Sequence, residues 1–184
     1  LHDKRSQASL QREMQEKLQM TRFEDEIWGI APGTELRVFD TAHGRLGVAI
    51  CYDSEFPRLV RGQVEAGAEI MLVPSCTDAL PGYNRVRVAA RARAMENQCF
   101  TVQSPTVGSA PWSAAVDENC GAAGAFGPID RGFPSDGVLA TGELNTVPSQ
   151  LGDRAGVIGA AIMALDRVLS PEAIDRAMQE GAAA

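Results

Sequence analysis

The sequence lacks the marks of several classes of protein. No apolar run approaches the roughly 18 to 20 residues of a membrane span, and no basic, apolar and small-residue succession at its start indicates an export signal. Its four cysteines form no C-x-x-C pair and its two histidines lie far from them, so zinc is not expected. We expect a cytoplasmic protein with free thiols, no metal ion and no organic cofactor.

The sequence also has no excess of positive charge. Its formal net charge is −7 and its pI is 4.9, whereas nucleic-acid binding depends on basic patches that release counterions. The one basic cluster is YNRVRVAARARAMEN, residues 83–97, and on a helix its arginines point in several directions. This pattern favours salt bridges, so we expect neither nucleic acid nor a membrane as a partner.

What the sequence does contain is an alternation of apolar runs and helical patterns, typical of crossover units in an α/β sheet. Two runs joined by DTAHG predict a hairpin, and two later apolar runs predict buried strands. The predicted strands are LRVF (36–39), RLGVAIC (45–51), EIMLVPS (69–75) and CFTVQSP (99–105). Between them we predict one helix that Ser54 can cap and that ends at Gly67, and a second, alanine-rich helix over 83–97.

The remaining segments are less regular. Residues 106–142 are rich in glycine, proline, alanine and serine and are predicted to be loops around a site, with short strands. Residues 1–16 form a polar segment with weak helical periodicity. Residues 146–184 form a helical tail in two pieces, divided where Ser170 can cap and Pro171 can occupy the first helical position.

Cys51, in the stretch GRLGVAICYDSEFPR (44–58), follows a predicted buried strand and precedes a predicted helix. Open α/β sheets bind ligands at this end, and a helix N-terminus favours thiolate over thiol. Cysteine is also among the most buried residue types, so Cys51 is either a nucleophile or the last small residue of a strand. Neither His43, across the hairpin, nor His2, in the polar opening, is a convincing base for the thiol.

Four blocks of sequence, in order and at plausible spacings, resemble the nitrilase or carbon-nitrogen hydrolase superfamily over about residues 17–145. They are KLQMTRFEDEIWGIAPGTELRVFDT (17–41), GRLGVAICYDSEFPRLVR (44–61), AGAEIMLVPSCTDA (66–79) and RARAMENQCF (91–100). The resemblance implies an αββα sandwich in which a glutamate, a lysine and a cysteine hydrolyse amides or nitriles through a thioester or thioimidate.

The resemblance implies a role for each matching residue. Cys51 matches the nucleophile, and Lys17 matches the lysine that stabilises the oxyanion, with the backbone N–H of Tyr52 as the other donor. Glu24 matches a second glutamate that helps to orient the site, and Glu26 is the alternative. A compact ammonium can stabilise developing negative charge, and a carboxylate nearby can hold it in position.

Other side chains are expected to be structural or are left open. Trp112, Phe126 and Phe133 lie where the family builds its acyl pocket and dimer surface, although core packing explains them equally well. Structural ion pairs, capping or pocket shaping are expected of Asp53, Glu55, Arg58, Arg61, Glu96 and Asn97.

The sequence departs from the family pattern at both ends. The family's general-base glutamate comes from an earlier strand, and neither Glu13 nor Glu16 is given that role, because both are too close to Lys17. We therefore expect an N-terminally incomplete sandwich over 17–145, lacking the N-terminal part of the domain. The tail 146–184 resembles the carboxyl-terminal helix of ROK-family sugar kinases and repressors, or is a terminal helix at a dimer interface.

The leading hypothesis is hydrolysis of a small amide or nitrile, with amidase favoured over nitrilase. The alternatives are a catalytically incompetent remnant that acts as an interaction module, and an N-acyltransferase that uses the same thioester. For the complete family domain we expect a homo-oligomer, a dimer or higher.

Overall fold

The structure is a computed structural model that describes residues 14–113 and 116–145. Its helices are α1 (Arg22–Glu26), α2 (Pro57–Glu65) and α3 (Leu80–Asn97), with a 3-10 helix at Cys51–Glu55. Its strands are β1 (Val38–Thr41), β2 (Gly44–Val48), β3 (Ile70–Ser75), β4 (Phe100–Pro105), β5 (Gly108–Ser109), β6 (Glu118–Asn119), β7 (Gly124–Phe126) and β8 (Val138–Thr141). The predicted tail 146–184 lies outside the described residues, as do the first 13 residues of the polar segment.

Six strands form one mixed sheet in the order β1-β2-β3-β4-β7-β8, and β5 pairs with β6 separately. The hairpin of β1 and β2 is antiparallel and turns at residues 42 and 43, and β2 then begins at Gly44, whose φ of 112° suits a residue without a Cβ. Strands β2, β3 and β4 are parallel, because α2 and α3 provide the crossovers. The predicted hairpin, central strands and crossover helices are therefore confirmed.

Both crossover helices pack on one face of the sheet. Residues two apart on β3, Met71 and Val73, point to this face and are fully buried. The core that they join comprises Ala49, Val60, Ala68, Val86, Ala90, Ala94, Cys99 and Phe126. Phe126 is fully buried, so core packing is the correct reading for it, whereas Trp112 is 70% exposed. Phe133 packs on Phe100, with ring centroids 6.1 Å apart.

The helix after Cys51 begins later than predicted. Ser54 does not cap it, because residues 51–55 first form a 3-10 helix in which the buried Ser54 hydroxyl donates to the Cys51 carbonyl at 2.6 Å. Helix α2 then starts at Pro57, with Phe56 as its N-cap. Proline suits this first position because its missing N–H would have no partner in the helix. The 3-10 helix thus fixes the backbone immediately after Cys51.

No helix within residues 14–113 and 116–145 is both long and apolar enough to cross a membrane.

Candidate active site

Cys51 lies on a tight turn beyond the carboxyl end of β2. The backbone stays paired with β3 as far as Ala49, whose N–H donates to the Leu72 carbonyl at 2.9 Å. Cys51 then adopts a φ of 51°, a left-handed conformation that is costly for a side chain with a Cβ and that recurs at functional sites. The turn directs the chain from the sheet into the 3-10 helix and leaves Cys51 half-buried.

Lys17 and Glu24 form a close ion pair. The Lys17 ammonium lies 2.5 Å from both carboxylate oxygens of Glu24, and the two side chains are only 13% and 19% exposed. Thr21 holds Glu24 through a capping box, in which Thr21 N–H donates to Glu24 Oε2 at 2.7 Å and Glu24 N–H donates to Thr21 Oγ1 at 3.3 Å. Glu26 instead pairs with Arg22 on an exposed surface.

The electrostatics keep Glu24 charged beside Lys17. Burial alone would raise the pKa of Glu24, but hydrogen bonds from Lys17 and Thr21, together with the Lys17 charge, hold it below its ordinary value. The Lys17 ammonium is thus held by the Glu24 carboxylate. Of the two glutamates that the sequence left open, the structure brings Glu24 to Lys17.

The Cys51 thiol shares a cavity with this ion pair. The cavity has a volume of about 610 Å³ and is lined by Lys17, Glu24 and Cys51, with Trp28, Arg85 and Val86 among its walls. Burial raises the pKa of the Cys51 thiol, which a backbone hydrogen bond with Cys76, the Lys17 charge and a backbone hydrogen bond with Tyr52 partly offset. The four residues predicted for the site, Lys17, Glu24, Cys51 and Tyr52, all line this cavity.

Cys76 is a neighbour of Cys51 that sequence reasoning missed. It follows β3 directly, and its carbonyl oxygen lies 3.8 Å from Cys51 Sγ. Its own thiol is 2.8 Å from Asn119 Oδ1. The sequence could have predicted this proximity, because Cys51 and Cys76 follow adjacent parallel strands, whose carboxyl ends lie at one edge of the sheet.

Asp53 is buried and connects the two halves of the site. Its carboxylate accepts from the N–H groups of Leu18 and Gln19 on one side and of Ile50 on the other. Burial raises the pKa of Asp53, although these N–H donors and the Lys17 charge oppose the effect. The carboxylate therefore caps main-chain N–H groups, which is the kind of role that we expected for Asp53 from the sequence.

The other side chains expected to be structural have mostly local partners. Glu55 pairs with Arg85 at 3.4 Å, Arg61 pairs with Glu65 at 2.7 Å, Glu96 pairs with Arg93 at 2.7 Å, and Asn97 donates to the Arg93 carbonyl at 3.0 Å. The arginines of α3 do point in different directions. Arg87 donates to the Tyr83 hydroxyl, Arg91 to the Asp136 carbonyl and Arg93 to the Ser54 carbonyl.

His43 lies in the turn of the hairpin, at the opposite end of β2 from Cys51, and is exposed. It is therefore not a partner for the thiol. The described residues contain no group of three or more histidine, cysteine, aspartate or glutamate side chains that could hold a metal ion.

The fold and cavity define an α/β protein with a cysteine-centred site at the carboxyl ends of parallel strands. The family profile of carbon-nitrogen hydrolases matches residues 2–142, so the chain belongs to the carbon-nitrogen hydrolase family. It is 43% identical to the probable hydrolase YhcX of Bacillus subtilis (strain 168) over 77% of this chain and 28% of that protein. It is also 43% identical to the deaminated glutathione amidase of Yersinia enterocolitica, over 42% of this chain and 27% of that protein.

Solved structures confirm the fold class. Saccharomyces cerevisiae Nit3, a member of the nitrilase superfamily, matches with a TM-score of 0.56 and 24% identity over 72% of this chain and 44% of its own. A carbon-nitrogen hydrolase from Helicobacter pylori G27 matches with a TM-score of 0.58 and 21% identity over 70% of this chain and 48% of its own. The chain thus spans about half of these structures and less than a third of the curated relatives above.

Proposed function

We propose that this chain takes part in the hydrolysis of the carbon-nitrogen bond of a small carboxamide, with Cys51 as the nucleophile. The observation that carries the proposal is the shared cavity, in which the Cys51 thiol faces the same space as the Lys17–Glu24 ion pair. Names of relatives give additional support, because they include two kinds of amidase, deaminated glutathione amidase and omega-amidase. An amide is therefore favoured over a nitrile as substrate.

The proposed chemistry proceeds through a thioester. The Cys51 sulfur bonds to the carbonyl carbon, and negative charge develops on the carbonyl oxygen, where the Lys17 ammonium and the Tyr52 N–H stabilise it. The carbonyl then re-forms as the C–N bond breaks, and ammonia leaves with the proton that the thiol gave up. A water oxygen bonds to the acyl carbon, the thioester breaks and the sulfur regains its proton. Among the described residues none matches the family's general-base glutamate, and this proposal gives that role to no residue.

In this scheme Glu24 keeps Lys17 in place. The ion pair is mostly buried, so Lys17 loses little conformational freedom when negative charge develops near it. A fixed ammonium stabilises a transition state better than a mobile one because it needs no reorganisation during the reaction.

The test is ammonia release from a panel of small aliphatic carboxamides, with the unsubstituted protein, Cys51→Ala and Cys120→Ala. We expect hydrolysis to be lost in Cys51→Ala and kept in Cys120→Ala, since Cys120 is buried and does not line the cavity. Acid quenching followed by peptide mass spectrometry is expected to find the acyl group on Cys51. Hydrolysis that survives in Cys51→Ala would contradict the proposal, and hydrolysis by no form would favour a remnant without activity.

A further inference from the structure

Asp53 accepts hydrogen bonds from two chain segments that are far apart in sequence. Its Oδ1 accepts from Leu18 N–H at 3.1 Å and from Gln19 N–H at 2.6 Å. Its Oδ2 accepts from Ile50 N–H at 3.3 Å and is also 3.3 Å from the Leu18 nitrogen. The side chain is almost completely buried, with 2% of its surface exposed.

Each donor lies within two positions of a residue of the proposed chemistry. Leu18 and Gln19 follow Lys17, and Ile50 precedes Cys51. The Asp53 carboxylate therefore connects the backbone next to Lys17 with the backbone next to Cys51, and its bond to Leu18 spans 35 positions of sequence.

The segment of Lys17 needs such an attachment, because residues 14–20 belong to no helix or strand. The Lys17 carbonyl accepts from Gly33 N–H at 2.8 Å, and Gln15 accepts from the N–H of Arg37, just before β1, at 2.8 Å. Neither bond reaches the turn of Cys51. Asp53, by contrast, belongs to the 3-10 helix that begins at Cys51. Its carboxylate thus links the backbone next to Lys17 to the 3-10 helix that begins at Cys51.

We propose that Asp53 is a positioning residue, which sets the place of Lys17 relative to Cys51 through its hydrogen bonds to Leu18, Gln19 and Ile50. The proposal rests on the proposed function for the roles of the two residues, but the attachment itself is independent of turnover. Asp53 touches no reacting atom in this scheme, so its effect on the reaction passes through Lys17. The ammonium matters most when charge develops on the oxyanion, so a displaced Lys17 lowers kcat more than it changes KM.

The test compares the unsubstituted full chain with Asp53→Asn and the matched control Asp40→Asn. Asparagine keeps the shape but places an NH₂ group, which cannot accept, where one of the carboxylate oxygens was. Asp40 pairs with Arg45 on the exposed hairpin, with 87% of its side chain accessible, so its substitution removes the same charge far from the cavity.

Because asparagine keeps one acceptor oxygen, we expect the amide hydrogens on one side of the link, those of Leu18 and Gln19 or that of Ile50, to exchange at least about tenfold faster in Asp53→Asn than in Asp40→Asn. With the carboxamide substrate, kcat is expected to fall about 10- to 100-fold in Asp53→Asn while KM stays within about threefold. Unchanged exchange in Asp53→Asn would overturn the proposal. So would a kcat equal to that of Asp40→Asn, or a loss that appears only in KM.

Two further outcomes remain decisive. If Asp53→Asn does not fold, exchange in the unsubstituted protein provides the test, because slow amides at Leu18 and Gln19 support the attachment and unprotected amides refute it. If the unsubstituted protein hydrolyses no carboxamide, the proposed function fails, while the exchange comparison still decides whether Asp53 holds the Lys17 segment.

Discussion

Cys51 is subject to opposing electrostatic effects at the scale of a single residue. Burial and the Glu24 charge disfavour its thiolate, while backbone hydrogen bonds with Cys76 and Tyr52 and the Lys17 charge favour it. Lys17 therefore has two proposed contributions, which are to stabilise the thiolate before the reaction and the oxyanion during it.

The thiolate contribution leads to a prediction for Lys17→Met. The Lys17 charge lowers the pKa of the Cys51 thiol, so its loss is expected to raise that pKa and to move the pH profile of alkylation to higher pH. The rate of reaction of Cys51 with iodoacetamide, followed by peptide mass spectrometry from pH 6 to pH 10, checks this. At neutral pH the variant is expected to react more slowly.

Arg22→Met is the matched control for Lys17→Met. Arg22 forms an exposed pair with Glu26 on α1, with 86% of its side chain accessible, and solvent screens its charge. The pH profile of Cys51 alkylation in Arg22→Met is expected to match that of the unsubstituted protein. Equal shifts in both variants would show that Lys17 has no specific effect on the thiol.

At the scale of elements, the short strand β7 contributes more to the core than its three residues suggest. It pairs with β4 and β8, and its Phe126 packs beneath α3 against Val73, Val86 and Ala90. The Arg87 guanidinium also lies over this ring, 5.7 Å from its centroid. A segment that the sequence predicted as loops with short strands therefore closes the core under α3.

We predict that Phe126→Ala lowers the free energy of unfolding by about 3 to 5 kcal/mol, because a fully buried aromatic ring is replaced by a cavity. Trp112→Ala is the control, and it is expected to change stability by no more than about 0.5 kcal/mol, because Trp112 is 70% exposed. Urea unfolding followed by circular dichroism measures both. A similar loss in the two variants would mean that Phe126 is not the core residue that its burial indicates.

At the scale of the whole molecule, all four cysteines resist ionisation. Burial raises the pKa of each thiol, and it raises that of Cys99 to about 11. A thiol with a raised pKa in the folded state contributes stability that is present below its ordinary pKa and is lost as pH rises through the folded value. The folded protein is therefore expected to lose stability from about pH 9 upward.

We predict that Cys99→Ala flattens this alkaline loss. The substitution removes the thiol that must ionise in the core, at a pH-independent cost for the smaller side chain. Between pH 8 and pH 11 the unsubstituted protein is expected to lose up to about 2 kcal/mol more than the variant. Urea unfolding at a series of pH values tests the difference. Parallel curves for the two proteins would contradict it.

Much of the fold could be predicted from the sequence because strands and crossover helices depend on local patterns. Continuous apolar runs such as that before Ser75, bounded by glycine and proline, identify buried strands. The start of α2 could not be placed as well, because a hydroxyl at Ser54 has the chemistry of a helix cap and also of the 3-10 turn that it stabilises. Phe126 was ambiguous for a similar reason, since a core ring and a pocket ring look alike in a glycine-rich segment.

The sequence by itself determined the order of the central elements, the family and the residues that match its motifs, because these depend on neighbours in the chain. Tertiary structure decided which side chains meet. It brought Glu24 rather than Glu26 to Lys17, because the capping box of α1 turns Glu24 inward and leaves Glu26 in solvent. It also placed Asp53 between two backbone segments, a contact across 35 positions that no local pattern encodes.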